Sequence, residues 1–392
     1  MGVPYHGLNT RLRRCSRFPR CVAASRQAGQ PAVFSPFTVQ SRRFRMSPIE
    51  PRPGRCLITG ATGYIGGRLR ERLAEQGLAE PHVALVRSPA AADAVKAGGG
   101  AAVVGDLLDP RSLDAAVQGC EQVIHLAHGD RGPQATRHLV EAAARHGVKR
   151  FVHVSTMSVH GPAPGPEAAH EATARIGRYG EPYSDSKAEQ EEIVQSAHAR
   201  GDLPVVILRP TVVYGLGGHF ERQVLAQARS GEVTLFDGGR GVCNAVFVDD
   251  VCDAIQAAQR SADALGEAMF ITADQAITWG EFIRTFAALA SPPPRFVERS
   301  ADEAKRYWAE HPPEPMGGVP TRVWRKLKRL AGWQPPVAPW PPLGRVMRET
   351  FPIAFSNQKA RRLLDWAPRV DFEEGVARSR VWLGQPAQHG PR

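Results

Sequence analysis

From Arg55 onward, short apolar runs alternate with longer segments of helical spacing. The runs are Arg55–Thr59, His82–Val86, Ala101–Val104, Gln122–Leu126, Phe151–Val154 and Val205–Leu208, and each predicts a strand. Residues 64–76 repeat apolar positions at Ile65, Leu69 and Leu73, and Ala135–Arg145 and Ser184–Ala199 also read as helices. Short apolar strands alternating with helices imply a parallel sheet covered on both faces, which is a doubly wound α/β architecture. Beyond residue 210 the pattern loosens. Val246-Phe247-Val248 before Asp249-Asp250-Val251 predicts one further strand and a helix start. Residues 291–346 change character, with Pro292-Pro293-Pro294 and then Trp308, Trp324, Trp333 and Trp340 among basic residues. An amphipathic segment from Lys359 closes the chain.

Charge changes this picture only at one end. The net charge is +11, but residues 1–49 hold nine arginines and no acid. The remainder carries 50 − 9 = 41 basic against 39 acidic residues, so the body has no electrostatic footprint for nucleic acid. Residues 1–50 therefore read as a disordered leader outside the fold. Two origins stay open: a dispensable bacterial leader upstream of Met46, with a cytoplasmic protein, or a mitochondrial transit peptide. No apolar run approaches the ~18–20 residues of a membrane-spanning helix. The six cysteines show no CxxC spacing and no histidine cluster, so reduced thiols are expected and no metal site.

The first strand feeds Thr59-Gly60-Ala61-Thr62-Gly63-Tyr64-Ile65-Gly66. Glycines at this spacing, between a strand and an amphipathic helix, let the backbone turn sharply and approach a pyrophosphate. The helix N-terminus then offers unpaired N–H groups to the anion. This predicts a dinucleotide site of the Rossmann type at Gly60, Thr62, Gly63, Tyr64, Ile65 and Gly66. A second determinant is expected about 20 residues later, at the end of the second strand. Arg87 stands there, followed by Ser88. An acid at that place suits the ribose hydroxyl of NAD, whereas arginine suits a 2′-phosphate, so NADP is preferred over NAD.

Tyr183-Ser184-Asp185-Ser186-Lys187 places a phenol and an ammonium four residues apart, on one helix face. A tyrosine of pKa about 10 is a weak base at neutral pH. A neighbouring ammonium is expected to lower that pKa, so that the phenol exchanges a proton with a substrate oxygen while hydride moves. Lys187 is also placed to hold the nicotinamide ribose.

With these motifs the chain resembles the extended short-chain dehydrogenase/reductase family, also called the NAD-dependent epimerase/dehydratase family, over roughly residues 55–385. The resemblance rests on the glycine turn, Gly105-Asp106-Leu107, Val123-Ile124-His125-Leu126-Ala127, Val154-Ser155-Thr156, Tyr183 with Lys187, Leu208-Arg209-Pro210-Thr211-Val212-Val213-Tyr214-Gly215, and Phe247-Val248-Asp249-Asp250. Asn357-Gln358-Lys359-Ala360 and Leu364-Asp365-Trp366-Ala367-Pro368 complete it. It implies that Thr156 positions the substrate's reacting oxygen beside the catalytic Tyr183 and Lys187. It also implies that Asp106 and Leu107 flank the adenine, that Leu126 and Ala127 line the dinucleotide groove, and that Pro210 and Val213 touch the nicotinamide side. Residues 51–210 would form the dinucleotide-binding domain with the catalytic residues. Residues 211–392 would form mainly a smaller substrate-binding domain, with 243–260 and part of the C-terminal helix returning to the cofactor domain.

Four departures shape the functional expectation. Dehydratases of the family carry Asp-Glu after the catalytic Thr, but Met157 and Ser158 follow Thr156, which disfavours water elimination. Cys243 stands where nucleotide-sugar enzymes place a phosphate-holding arginine, with Arg240 as the nearest substitute. The connection from Ala127 to Thr136 is short and carries His128 and Asp130. His160 replaces the usual tyrosine of the following Val-Tyr-Gly. The leading expectation is thus reversible hydride transfer at a secondary alcohol or ketone of a small, less charged substrate. A nucleotide-sugar epimerase with tightly bound NAD and a non-catalytic NADPH-binding sensor or complex subunit are the alternatives. Trp324, Leu327, Leu330 and Trp333 would form one apolar helix face, suited to a lid, to a peripheral membrane contact or simply to a domain helix. Beyond the small-molecule substrate, the candidate partners are a membrane surface, in peripheral contact, and a second copy of the chain in a homodimer, with no nucleic acid expected.

Overall fold

Each apolar run becomes a strand of one sheet in the computed structural model, which describes residues 54–312 and 339–384. The leader 1–50 and the Trp324–Trp333 helix lie outside the described residues. The chain begins β1 (Cys56–Thr59), α1 (Tyr64–Glu75), β2 (His82–Val86), α2 (Pro89–Ala97), β3 (Ala101–Val104) and α3 (Pro110–Val117). It continues β4 (Gln122–His125), α4 (Gly132–Arg145), β5 (Arg150–Val154), α5 (Pro182–Ala199) and β6 (Val205–Pro210). Next come β7 (Val212–Tyr214), α6 (His219–Arg229), β8 (Glu232–Phe236), β9 (Val242–Cys243), β10 (Ala245–Phe247) and α7 (Val248–Arg260). Then follow β11 (Ala268–Ile271), β12 (Ile277–Thr278), α8 (Trp279–Ala287), β13 (Arg295–Arg299) and α9 (Ala301–Glu310). The C-terminal part holds α10 (Leu343–Thr350), α11 (Gln358–Leu364) and α12 (Phe372–Gly384).

The main sheet has seven parallel strands in the order β11-β6-β5-β4-β1-β2-β3. Its two faces explain the unbroken apolar runs. Cys56 and Ile58 of β1 point into a core with α1, α2 and α7, while Leu57 points into the opposite core with α3, α4 and α5. Val152 and Phe151 of β5 divide in the same way, as successive strand residues must. The fold is therefore the doubly wound one that the periodicity predicts. The seventh strand, β11, is not among the predicted runs.

Strand order reverses between β1 and β4, and the crevice beyond their carboxyl ends is where such sheets bind ligands. Beyond β6, a further core of aromatic side chains gathers Tyr214, Phe247, Phe282, Phe286 and Phe372. Two of the quoted motifs tie these parts together. Asp249 is buried and receives Arg68 at 2.6 Å, Arg72 at 3.1 Å and Arg378 at 3.6 Å, joining α1, α7 and α12. Asp250 accepts the amides of Arg369 and Val370 at 2.8 and 3.2 Å, and its carbonyl accepts Trp366 Nε1 at 3.0 Å. The Asp-Asp and Leu-Asp-Trp-Ala-Pro motifs thus lock the C-terminal segment in place. Among the described residues, no helix is long and apolar enough to cross a membrane.

Candidate active site

The glycine turn closes on itself. Gly60 lies at φ +69°, a conformation that an L side chain rarely adopts, and Gly63 N donates to Gly60 O at 2.9 Å. A Cβ on Gly60 would stand 2.7 Å from Ala127 N, and one on Gly66 would stand 2.2 Å from Gly60 O. The turn is therefore pressed against the end of β4 on one side and under α1 on the other. The N-cap of α1 is Gly63, with no side-chain acceptor on the first amides. Those amides remain available to an anion. Tyr64 ties the turn to the far wall by donating its hydroxyl to Gly215 O.

A groove of about 1520 Å³ runs along these strand ends. Gly60, Thr62, Gly63, Tyr64, Ile65 and Gly66 form its floor, with Leu126 and Ala127 beside them. Arg87, Asp106 and Leu107 line one end, and Tyr183 and Lys187 line the other. Arg87 is exposed and has no ion-pair or hydrogen-bond partner among the described residues. Ser88 is the N-cap of α2, its hydroxyl accepting from Ala91 N at 3.3 Å. Pro210 and Val213 lie off the groove wall: Pro210 sits in β6 opposite Ile271, and Val213 in β7 opposite Val246. Thr156 lies just behind the wall, buried, and close enough to the Tyr183 phenol to act on its ionisation. It also accepts Ser158 N at 3.2 Å, capping the short turn that follows.

Helix α5 sets the position of Tyr183. Pro182 opens the helix, and the Asp185 carboxylate accepts Tyr179 N at 2.7 Å and Gly180 N at 2.9 Å, fixing the incoming loop. Tyr183 keeps 44% of its surface exposed along the groove. One turn on, Lys187 is buried and donates to Val154 O at 2.8 Å. Burial brings its ammonium pKa down to about 8, opposed by the nearby charge of Glu191. Glu191 is itself buried and paired with Arg209 at 2.6 Å. The expected lowering of the Tyr183 pKa by Lys187 is not found. Crowding by the groove walls raises the phenol, with the Thr156 hydroxyl as the opposing influence, because Lys187 directs its charge to the Val154 carbonyl.

Sequence reasoning missed several neighbours. His128 packs edge-on against Tyr183 with ring centroids 4.7 Å apart, and burial and Lys187 hold its pKa low. Its departure from the family pattern is the only signal in the sequence. Trp382 and Arg222 also line the groove, with no local motif to mark them. His160, by contrast, is a core residue: its Nδ1 pairs with Arg175 O at 2.7 Å and its ring meets Phe270 edge-on. The expected substitute for a phosphate-holding arginine also changes. Arg240 is exposed and forms no ion pair among the described residues, whereas Arg348 of α10 comes close enough to Cys243 for each to perturb the other's ionisation.

A family model described as the NAD dependent epimerase/dehydratase family matches residues 56–271. The chain belongs to this family. It is an enzyme of the NAD(P)-dependent oxidoreductase and epimerase type. Among curated proteins it is similar to a 2-alkyl-3-oxoalkanoate reductase of Stenotrophomonas maltophilia, with 29% identity over 83% of this chain and 98% of that one. It is also similar to the 4-hydroxy-2-methyl-3-oxo-4-farnesyl-3,4-dihydroquinoline-1-oxide ketoreductase of Stigmatella aurantiaca, at 28% identity over 82% and 94% of the two chains. Among solved structures, the dTDP-glucose 4,6-dehydratase DesIV of Streptomyces venezuelae, a double mutant with NAD bound, superposes with a TM-score of 0.62. At 22% identity over 85% of this chain and 98% of that one, this likeness establishes the fold.

Proposed function

We propose that this enzyme is an NADP-preferring reductase of a ketone, running in reverse as a dehydrogenase of the secondary alcohol, on a small substrate with an apolar body. The observation that carries the reading is Tyr183 and Lys187 on the groove beside the glycine turn, with Lys187 buried one helical turn behind the phenol and Thr156 near enough to act on it. The residues fit a dinucleotide: the floor tolerates no Cβ at Gly60 or Gly66, and the first turn of α1 is uncapped. Arg87, unpaired at the far end of the groove, suits a 2′-phosphate.

The dinucleotide supplies the hydride. Thr156 and Tyr183 converge on the reacting oxygen, and Tyr183 donates its proton to that oxygen in the reductive direction. A phenol held above its ordinary range keeps its proton until an alkoxide demands it. Lys187, turned to the Val154 carbonyl, serves to hold the nicotinamide ribose rather than to lower the Tyr183 pKa. Met157, where dehydratases carry an acid, packs into the apolar core and offers no proton for water elimination. The two similar proteins named as ketone reductases point the same way. Following NADPH absorbance over a panel of ketones tests the reading. Turnover with NADPH that disappears in Tyr183→Phe is expected, and absence of any NADPH-linked turnover would overturn it.

A further inference from the structure

Helix α10 inserts Arg348 between two aromatic rings. Its guanidinium carbon lies 5.1 Å from the Phe220 centroid and 5.5 Å from that of Trp279. The Glu349 carboxylate stands 3.8 Å from it, but Arg345 already holds that carboxylate at 2.7 Å. Two guanidinium groups therefore share one negative charge. Only 27% of the Arg348 side chain is exposed, so water solvates it poorly. Burial accordingly pushes its pKa down.

Two buried donors in this cluster, Arg348 Nε and Trp279 Nε1, have no acceptor among the described residues. Buried donors are seldom left unpaired, and a guanidinium over aromatic rings binds carboxylates strongly. Glu349 Oε2 is also buried without a donor, so the cluster is not satisfied from within as it stands. The cluster neighbours the catalytic helix. Glu181, two residues before Tyr183, acts electrostatically on Arg348, and its carboxylate lies 3.0 Å from where a Cβ on Gly344 of α10 would be.

We propose that Arg348, with the Trp279 indole N–H beside it, binds a carboxylate of the substrate, which makes the substrate an oxo acid. This deepens the reductase reading and rests on it. The charge count favours one carboxylate over a diphosphate. Glu349 and Glu181 already act on Arg348, and the position where nucleotide-sugar enzymes carry a second cation holds Cys243, a buried thiol.

The test compares NADPH-linked reduction of a 3-oxoalkanoate with that of its methyl ester. Wild type should prefer the acid about 10- to 100-fold in kcat/KM, expressed in KM, as for a charge-assisted hydrogen bond. In Arg348→Met that preference should collapse to near parity, and Arg348→Lys should recover part of it. NADPH affinity, read by fluorescence, reports folding in each variant. Parity in wild type, or an equal loss for acid and ester in Arg348→Met, overturns the proposal. Calorimetry with the 3-hydroxyalkanoate and, separately, UDP-glucose reads binding without turnover. Arg348-dependent carboxylate binding supports the site even where no ketone is reduced, an outcome that sinks the reductase reading alone. Carboxylate binding indifferent to Arg348, or Arg348-dependent binding of UDP-glucose instead, overturns the assignment.

Discussion

The dinucleotide groove and the Arg348 cluster are built by different means. The cofactor side is backbone: one glycine turn and the uncapped start of α1, all within Thr59–Gly66. The cluster proposed for the substrate is an assembly of side chains from α6, α8 and α10, with Phe220, Trp279 and Arg348 meeting only in the folded chain. The first kind of wall has a fixed ligand geometry. The second kind sets selectivity by charge and shape, and it changes with single substitutions.

If that contrast holds, substitutions on the two sides separate in what they disturb. The largest effect belongs to the shared centre. Tyr183→Phe should lower kcat by about 100- to 10,000-fold with a much smaller change in NADPH affinity. Asp249→Ala tests the lock that joins α1, α7 and α12. It removes the buried carboxylate that Arg68 and Arg72 share, leaving Arg68 with Glu75 and Arg72 with Asp253, and should cost about 1–3 kcal/mol in denaturant unfolding. Gly66→Ala forces a Cβ against the Gly60 carbonyl and should weaken dinucleotide binding about tenfold or more, an overpacking cost of about 1–3 kcal/mol.

A pH profile sharpens the role of Lys187. Its ammonium loses its proton near pH 8, so kcat should fall as pH rises through about 8. Stability moves in the opposite sense. The unfolded lysine holds its proton up to about 10.5, so between the two values the unfolded chain binds more protons. This group's contribution to stability therefore grows as pH rises across that window and is lost as pH falls through about 8. The smallest effect should come from the exposed Arg87. Arg87→Ala should reduce the preference for NADPH over NADH about tenfold, measured as the ratio of kcat/KM values.

The same contrast explains what the sequence disclosed. Strands β1, β2, β4, β5 and β6 are legible because strands buried on both faces are mostly apolar, and the edge strand β3 because its short run is apolar although partly exposed. The groove floor is legible because glycine spacing is a backbone requirement written in adjacent residues. Tyr183 and Lys187 are legible because one helical turn separates them. The ionisation of Tyr183 is not, since it depends on the groove walls that bury the phenol and on Thr156, far away in the chain. Arg348 is invisible for a like reason: its meaning lies in Arg345 neutralising Glu349 and in rings far away in the chain. The Asp249-Asp250 motif shows a third case. It is readable as a motif, but its structural role as the anchor for Arg378 and for residues 366–370 appears only in three dimensions.

The central claim is that Thr156, Tyr183 and Lys187 serve net reduction of a ketone. The most direct measurement incubates the purified enzyme with NADPH and a 3-oxoalkanoate, follows NADPH absorbance and analyses any nucleotide that co-purifies. The account predicts one NADPH consumed per 3-hydroxy product, with the reaction lost in Tyr183→Phe. NAD retained through purification, with UDP-sugar turnover and no net NADPH consumption, would contradict it.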